Sequence, residues 1–441
     1  MCDTTNMNSG GNFLPILVAL LAMAAETGLA GIAPLPAENA IYDPNPNHLW
    51  NRLNDTLFIR TGPDGAKFGW DELDPLIWTD TKYLLESPGH QRALAVLDEF
   101  LAQHGEKLIR EPLKKAWLQH DLWLLFDWAN YPNSHDFPHE RRDLENRLAQ
   151  VIRRLALSFA DIASLPDNYA LSAANAELAD RAAGLFKEGG PWVIVGTTGT
   201  NLVAQIHMMA FGGRSVFLVL ARFPGGPKET GEYLKKLNTF APKWTFESNS
   251  SAPGPVLNKD IPQFPTNTDW ALVRQMCLID DMGRIRPTHL VESIQMRHYY
   301  SLAPDMVLFN GAQDFPRTQR MSEFKMNRRL HGLLASVGND DRDFLTVHFF
   351  SKGIDPFEWK GQGQGEDYIA RDRGLILRDC FVCHSGPGVH SLATLSMRSA
   401  PPQGIELNSD GSVAREFAAT ALWKQSQPDW KALGELWNRA P

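Results

Sequence analysis

Between residues 88 and 187 apolar positions recur at helical spacing. Leu94, Leu97, Phe100 and Leu101 form one stripe, and Leu113, Trp117, Leu118, Leu122 and Leu125 form a second. A third stripe of Leu144, Leu148, Val151 and Leu155 predicts a helix over 140–160. Leu165-Pro166-Asp167-Asn168-Tyr169 breaks the pattern, and a further helix is expected over 172–187, stopped by Gly189-Gly190. From Trp192 the period shortens. Apolar, partly β-branched runs at 192–195, 202–209 and 215–220 are separated by Gly-containing turns, with Phe211-Gly212-Gly213-Arg214 as a hairpin turn. After a Pro/Ser/Asn-rich connection over 241–268, strands are expected at 271–279 and 289–300, joined through Asp280-Asp281-Met282-Gly283. A helix near 320–334 and a strand at 344–350 follow.

This order predicts an α+β fold with a helical N-terminal half, an antiparallel β-containing middle and a short helical C-terminal segment. The corresponding regions are 31–190, mainly helical; 191–360, α+β with antiparallel strands; and 366–441, entered through the flexible junction Gly361-Gln362-Gly363-Gln364-Gly365. At the N-terminus, residues 13–25 carry no charge. That run is too short for a membrane span and matches the apolar core of a signal peptide, placed at 1–30. It departs from the usual pattern in lacking any Lys or Arg ahead of it, and the competing reading is an apolar helix packed into the core. No later segment has the roughly 18 uncharged residues of a membrane span.

Composition narrows the function classes. The 441 residues carry a net charge of −8 without runs of Lys or Arg, which argues against nucleic-acid binding. Four cysteines in this length exclude a disulfide-stapled scaffold. Cys2 falls in the expected leader, and Cys277 lies in an apolar strand-like run as an inert buried thiol.

The other two cysteines carry the chemistry. Cys380-Phe381-Val382-Cys383-His384 places two thiols three positions apart with an imidazole directly behind them. Two such thiols can add to the two vinyl groups of one haem, and the imidazole is then directed at the iron. The chain's 4 Cys and 13 His would produce this pattern by chance about 0.001 times. On these residues the chain resembles the c-type cytochromes, over about 366–400 only. The resemblance implies one covalent haem c held by Cys380 and Cys383, with His384 as proximal iron ligand. It further implies attachment after export, hence a periplasmic or secreted protein, and a redox partner protein. One-electron transfer is the implied function; a haem-dependent, peroxidase-like oxidoreductase with its substrate pocket in the α+β body is the alternative. Two non-haem readings remain: a Cys380–Cys383 disulfide in a binding protein, which leaves His384 unexplained, and half of a zinc site, which lacks a second close pair of ligands.

The sixth iron ligand is more open. Met397 is the only methionine downstream of the motif, thirteen residues past His384, closer than in small c-type cytochromes. His390 would need a nearly extended path around the ring, and His298, His331 or His348 would have to reach in from the preceding region. An open iron is also possible. Ser385-Gly386-Pro387-Gly388 is expected to turn the chain sharply away from the haem face. Trp423, Trp430, Leu433 and Trp437 are expected either to wall the haem or to be ordinary core. Three further patterns read as structural: Phe223-Pro224-Gly225-Gly226-Pro227-Lys228 as a turn before a helix, Asp280-Asp281 as turn residues, and His135 and His139 as a pair that Pro138 keeps off a common helix.

Overall fold

The computed structural model describes residues 40–61, 67–68, 83–131, 135–197, 202–247, 254–302, 319–336, 387–392 and 406–439. The helical half begins with α1 (Leu49–Phe58), a two-residue hairpin of β1 (Arg60–Thr61) and β2 (Lys67–Phe68), and α2 (Gly89–Ala102). α3 (Pro112–Ala129) and α4 (Pro138–Leu155) follow, then the short α5 (Phe159–Ala163), α6 (Asn168–Leu171) and α7 (Ala176–Ala182). α4 is amphipathic as its sequence stripe predicts, burying Leu144, Leu148, Val151, Ile152 and Leu155. Its buried Arg141 donates to the carbonyls of Trp128 (3.2 Å) and Ala129 (3.1 Å), satisfying groups that the end of α3 leaves unpaired. The expected helix over 140–160 stops at Leu155, and Ser158 starts α5 by accepting the Asp161 amide at 3.1 Å.

The remaining elements are β3 (Val193–Thr197), α8 (Gln205–Ala210), β4 (Ser215–Arg222), α9 (Gly226–Thr239), a hairpin of β5 (Trp244–Glu247) and β6 (Gly254–Leu257), β7 (Thr268–Ile279), β8 (Ile285–Tyr299), β9 (Gln319–Asn327), β10 (Leu333–Ser336), β11 (Leu407–Asn408), α10 (Val413–Ser426) and α11 (Pro428–Arg439). Seven strands form one sheet in the order β10-β9-β8-β7-β4-β3-β11, every pair antiparallel. The fold is therefore α+β, with a helical N-terminal half and a strand-rich middle. β7 is central and almost continuously buried, so its sequence reads as an apolar run rather than an alternation. The β7–β8 hairpin closes where expected. Asp280 accepts the amides of Met282 (3.0 Å) and Arg284 (2.8 Å), and Gly283 supplies the positive φ of +72°.

Three expectations are corrected. The run 202–209 forms α8 instead of a strand: past Val203 its Gln, Met and Ala residues favour helix. The segment 320–334 is not a helix but β9 and β10 around the turn Arg328–Leu330. Ser322, Phe324 and Met326 are buried at the period of 2 of a strand, while Met321 and Phe324 mimic a helical spacing. The helix expected over 172–187 shrinks to α7, because Asn175 caps a new start and Gly184 takes φ +68° soon after. The expected strand at 344–350 lies outside the described residues.

The sheet is covered differently on its two faces. One face belongs to the large core shared with α1–α4 and α11, which it enters through Val216, Leu218 and Leu220 of β4, Val273 of β7, Ile294 of β8 and Phe324 of β9. The other carries two smaller clusters. The first joins α9 to Val195, Ala221, Trp270, Tyr299 and Val389; the second joins α8 to Phe217, with Ala419 and Trp423 of α10 against it. The C-terminal chain enters this same body, since Leu407 of β11 pairs with Thr197 of β3.

Candidate functional site

Cys380, Cys383, His384 and Met397, together with His348, lie outside the described residues. The chain is described again from Pro387, three positions past His384, as the 3-10 turn Gly388–Ser391 docked on the sheet. Gly388 sits at φ +51°, and a Cβ there would fall on Oε1 of Gln263. Only glycine meets both conditions. The same Oε1 accepts the Val389 amide at 2.8 Å. Ser391 Oγ donates to Gly388 O (2.7 Å), so the fully buried Tyr299 hydroxyl donates to Ser391 (2.5 Å). Val389 is 0% exposed among Tyr233, Phe264, Trp270 and Tyr299, with Leu392 and Leu302 against the same cluster. Of the turn expected over Ser385–Gly388 only Pro387 and Gly388 are described, and there the positive φ of Gly388 fits the chain to the sheet.

The histidines weighed as iron ligands are separated by the structure. His390 is in the docked turn, and partial burial lowers its imidazole pKa, favouring the neutral ring. His298 donates its Nδ1–H to Asp269 Oδ1 at 2.9 Å, and Oδ2 of that acid takes Arg222 Nε (3.0 Å) and Nη2 (2.9 Å). An imidazole oriented by a carboxylate is the arrangement of many metal-bound histidines. Strand alternation, however, puts His298 on the opposite face from its neighbour Tyr299 and the docked turn. His331 is exposed in a left-handed turn. Leu433 and Trp437 are buried in the helical core, and Trp430 packs on Trp123 at 5.7 Å, so this aromatic group faces α3 and α4. Trp423 lies against the α8 cluster.

Sequence reasoning missed a set of buried charges organised by α3. That helix is apolar all round, yet Gln119, His120, Asp121 and Asp127 are each at most 9% exposed in side chain or residue. Gln119 clamps both backbone groups of Ile279, accepting its N–H at 3.0 Å and donating to its carbonyl at 2.9 Å. Asp121 takes Arg328 at 2.6 Å; Asp127 takes Arg214 at 2.5 Å and Lys424 at 2.7 Å. Glu292, wholly buried, receives Ser215 Oγ at 2.5 Å and Arg274 Nε at 3.3 Å, with His120 Nε2 at 3.7 Å. This meeting falls beside a register shift between β7 and β8 at Arg274–Cys277. Such a bulge re-aims side chains and brings together groups from the two faces. Ser, His and Glu here do not form a nucleophilic triad, since the serine donates to the carboxylate instead of to the imidazole. The signal that could have exposed this set is the run of Gln, His and Asp interrupting an otherwise apolar helix.

The remaining patterns are structural. Asp280 is fully buried, and burial raises its pKa, but hydrogen bonds from Arg286 and from the backbone and side chain of Arg284, with the Arg286 charge, outweigh that and hold it low. Gly225 caps α9 and Gly226 begins it, and the Gly225 amide is taken by Glu229 at 2.7 Å. Phe137, in the left-handed region, starts α4 after His135, so His135 lies ahead of the helix that holds His139. Cys277 is a buried free thiol whose pKa is pushed up by burial and then by the Glu292 charge. Among the described residues no three His, Cys, Asp or Glu side chains gather as a metal site, and no helix is long and apolar enough to cross a membrane.

The site is thus a docked turn on an antiparallel α+β sheet, directly following a Cys-x-x-Cys-His sequence. Comparison with protein-family models, curated proteins and solved structures finds no match to this chain.

Proposed function

We propose that the chain is an exported single-haem protein of the c-type class, serving one-electron transfer to a partner protein. Cys380 and Cys383 hold the haem through thioethers, and His384 binds its iron. The donor set fits that group: two thiols at the vinyl spacing and an adjacent imidazole. When bound, the haem supplies a one-electron couple whose potential is tuned by its axial ligands, hydrogen bonds and burial.

The observation that carries this reading furthest is the docking of the turn. Three peptide steps separate His384 from Pro387, so covalent length keeps the two Cα atoms within roughly 11 Å. Leu392 and Leu302, partly buried against the cluster around Val389 and Phe264, present apolar surface at that end of the sheet. A haem carried there is held by the body and is not free on a flexible tail, which suits electron transfer at a fixed distance from a docking surface. The residues of this chain bind and orient the group; Tyr299, Ser391 and Gln263 fix the segment that follows the ligand.

The test is direct. The full chain is produced together with haem-attachment machinery, denatured, and separated by electrophoresis. Haem absorbance should stay on the polypeptide, and Cys380→Ala/Cys383→Ala should abolish it. Wild-type protein that takes up no covalent haem refutes the reading. In the loaded protein, a sulfur-to-iron absorption band lost in Met397→Ala identifies the sixth ligand.

A further inference from the structure

Two buried hydrogen-bond donors stand without an acceptor on the sheet face that receives the 387–392 turn. Trp270 of β7 and Arg297 of β8 are direct cross-strand partners. Arg297 lies two residues before Tyr299, and Trp270 shares a cluster with Tyr299 and Val389, so strand alternation places both on the face of the docked turn. Among the described residues neither Trp270 Nε1 nor Arg297 Nη1 meets an acceptor, although both atoms are shut off from solvent. A buried donor left unpaired is costly, and more so when it is charged. Two at paired positions call for a shared partner.

The nearby acids are committed elsewhere. Glu323 accepts the Gln295 amide at 3.2 Å, and Asp269 faces the other side of the sheet with Arg222 and His298. The positive charge of Arg297 is felt by His207 on α8: burial first, and then this guanidinium, push the imidazole down to about 4.

We infer that Trp270 and Arg297 form a carboxylate-binding pair, and that a haem propionate is the carboxylate it takes. The source of the carboxylate rests on the haem reading above; the chemistry rests on the two orphaned donors. A guanidinium offers a planar two-point contact to a carboxylate, and an indole N–H adds a third donor that is never an acceptor. Tyr299, on the same face two residues further along β8, ties that edge to the segment seven residues past His384 through Ser391.

Two measurements decide it. In the haem-loaded full chain, Arg297→Gln should lower the reduction potential, because a propionate that loses its cation favours the oxidised iron. Arg297→Lys should fall between it and wild type, and Trp270→Phe should shift the potential in the same direction. In the haem-free Cys380→Ala/Cys383→Ala chain, sodium propionate should raise Tm against equal chloride, with an apparent Kd about tenfold weaker in Arg297→Gln. A potential that does not move, with a propionate effect that Arg297→Gln removes, supports the pair and assigns it to a soluble acid. A potential and a propionate response both indifferent to Arg297 overturn it. If wild type carries no haem, the functional reading falls and the propionate response alone judges the pair.

Discussion

Replacing Gly388 by Ala tests whether the turn behind the motif is held by the sheet. Alanine meets two obstacles. Its left-handed backbone, at φ +51°, costs about 1–2 kcal/mol without glycine's freedom. Its Cβ falls on Gln263 Oε1, the end of a flexible side chain that can swing away, but only by releasing the Val389 amide it accepts at 2.8 Å. That amide is then buried without a partner, at a further cost of about 1–3 kcal/mol. Gly388→Ala should therefore destabilise by roughly 2–5 kcal/mol. Gln263→Ala alone removes the same hydrogen bond and should cost about 1–3 kcal/mol.

The double variant is the informative one. With Gln263 already truncated, the alanine at 388 has nothing to displace, and the hydrogen bond can be lost only once. The two changes should fall short of additivity by about 1–3 kcal/mol, the cost of losing that bond, which is counted only once. Equilibrium unfolding in urea, followed by tryptophan fluorescence, measures the cycle. Strict additivity would mean that Gln263 and Gly388 do not meet, and the docked geometry of the turn would be wrong.

Other consequences are testable in the same assay. Glu292→Gln leaves Arg274 buried without its acid at 3.3 Å and should destabilise by about 3–5 kcal/mol; a loss under 1 kcal/mol would show that the charge is solvated. Glu416 has its pKa raised to about 7, chiefly by burial and against the Arg415 charge. Its folded form prefers the proton, so its contribution is intact below the ordinary 4.5 and is lost as pH rises through 7; Glu416→Gln should flatten stability over that window. His207 behaves oppositely. Its folded pKa lies near 4 against an ordinary 6.5, so stability present above 6.5 is lost as pH falls toward 4, and His207→Asn should remove that acid-side slope.

How much of this was legible depends on which residues a pattern isolates. The stripes on α4 and the turn at Asp280–Gly283 were readable, because helical period and turn chemistry are local properties. β9 was not, since Met321 and Phe324 fall three apart by accident while the strand's own period of 2 runs through a serine. α8 failed for a related reason: a short apolar run bounded by glycines looks the same for a buried strand and a single helical turn and a half. The Cys-x-x-Cys-His motif is visible in five consecutive letters. The surface that would receive it is not, because Gln263, Trp270, Arg297, Tyr299 and Val389 meet only through sheet register and a return of the chain over 126 positions from Gln263 to Val389. The ion pairs of α3 share that obscurity, with Asp121 and Arg328 separated by 207 positions.

The two faces of the sheet explain why function should gather on one of them. The helical face is closed by Leu, Val, Ile and Phe side chains; the buried acids Asp121 and Asp127 of α3 each have a cation within ion-pair distance, and Glu292 of β8 has Arg274 and a serine hydroxyl. Such pairs hold register and strand position at little net gain in stability, so their value is in fixing geometry. The opposite face keeps an apolar end, where Val389 docks, beside Gln295, Arg297, Glu323 and the Trp270 indole, whose N–H meets no acceptor among the described residues. The helical face therefore fixes strand positions through its ion pairs, while the opposite face carries the docked turn beside the cross-strand donors Trp270 and Arg297, which meet no acceptor among the described residues.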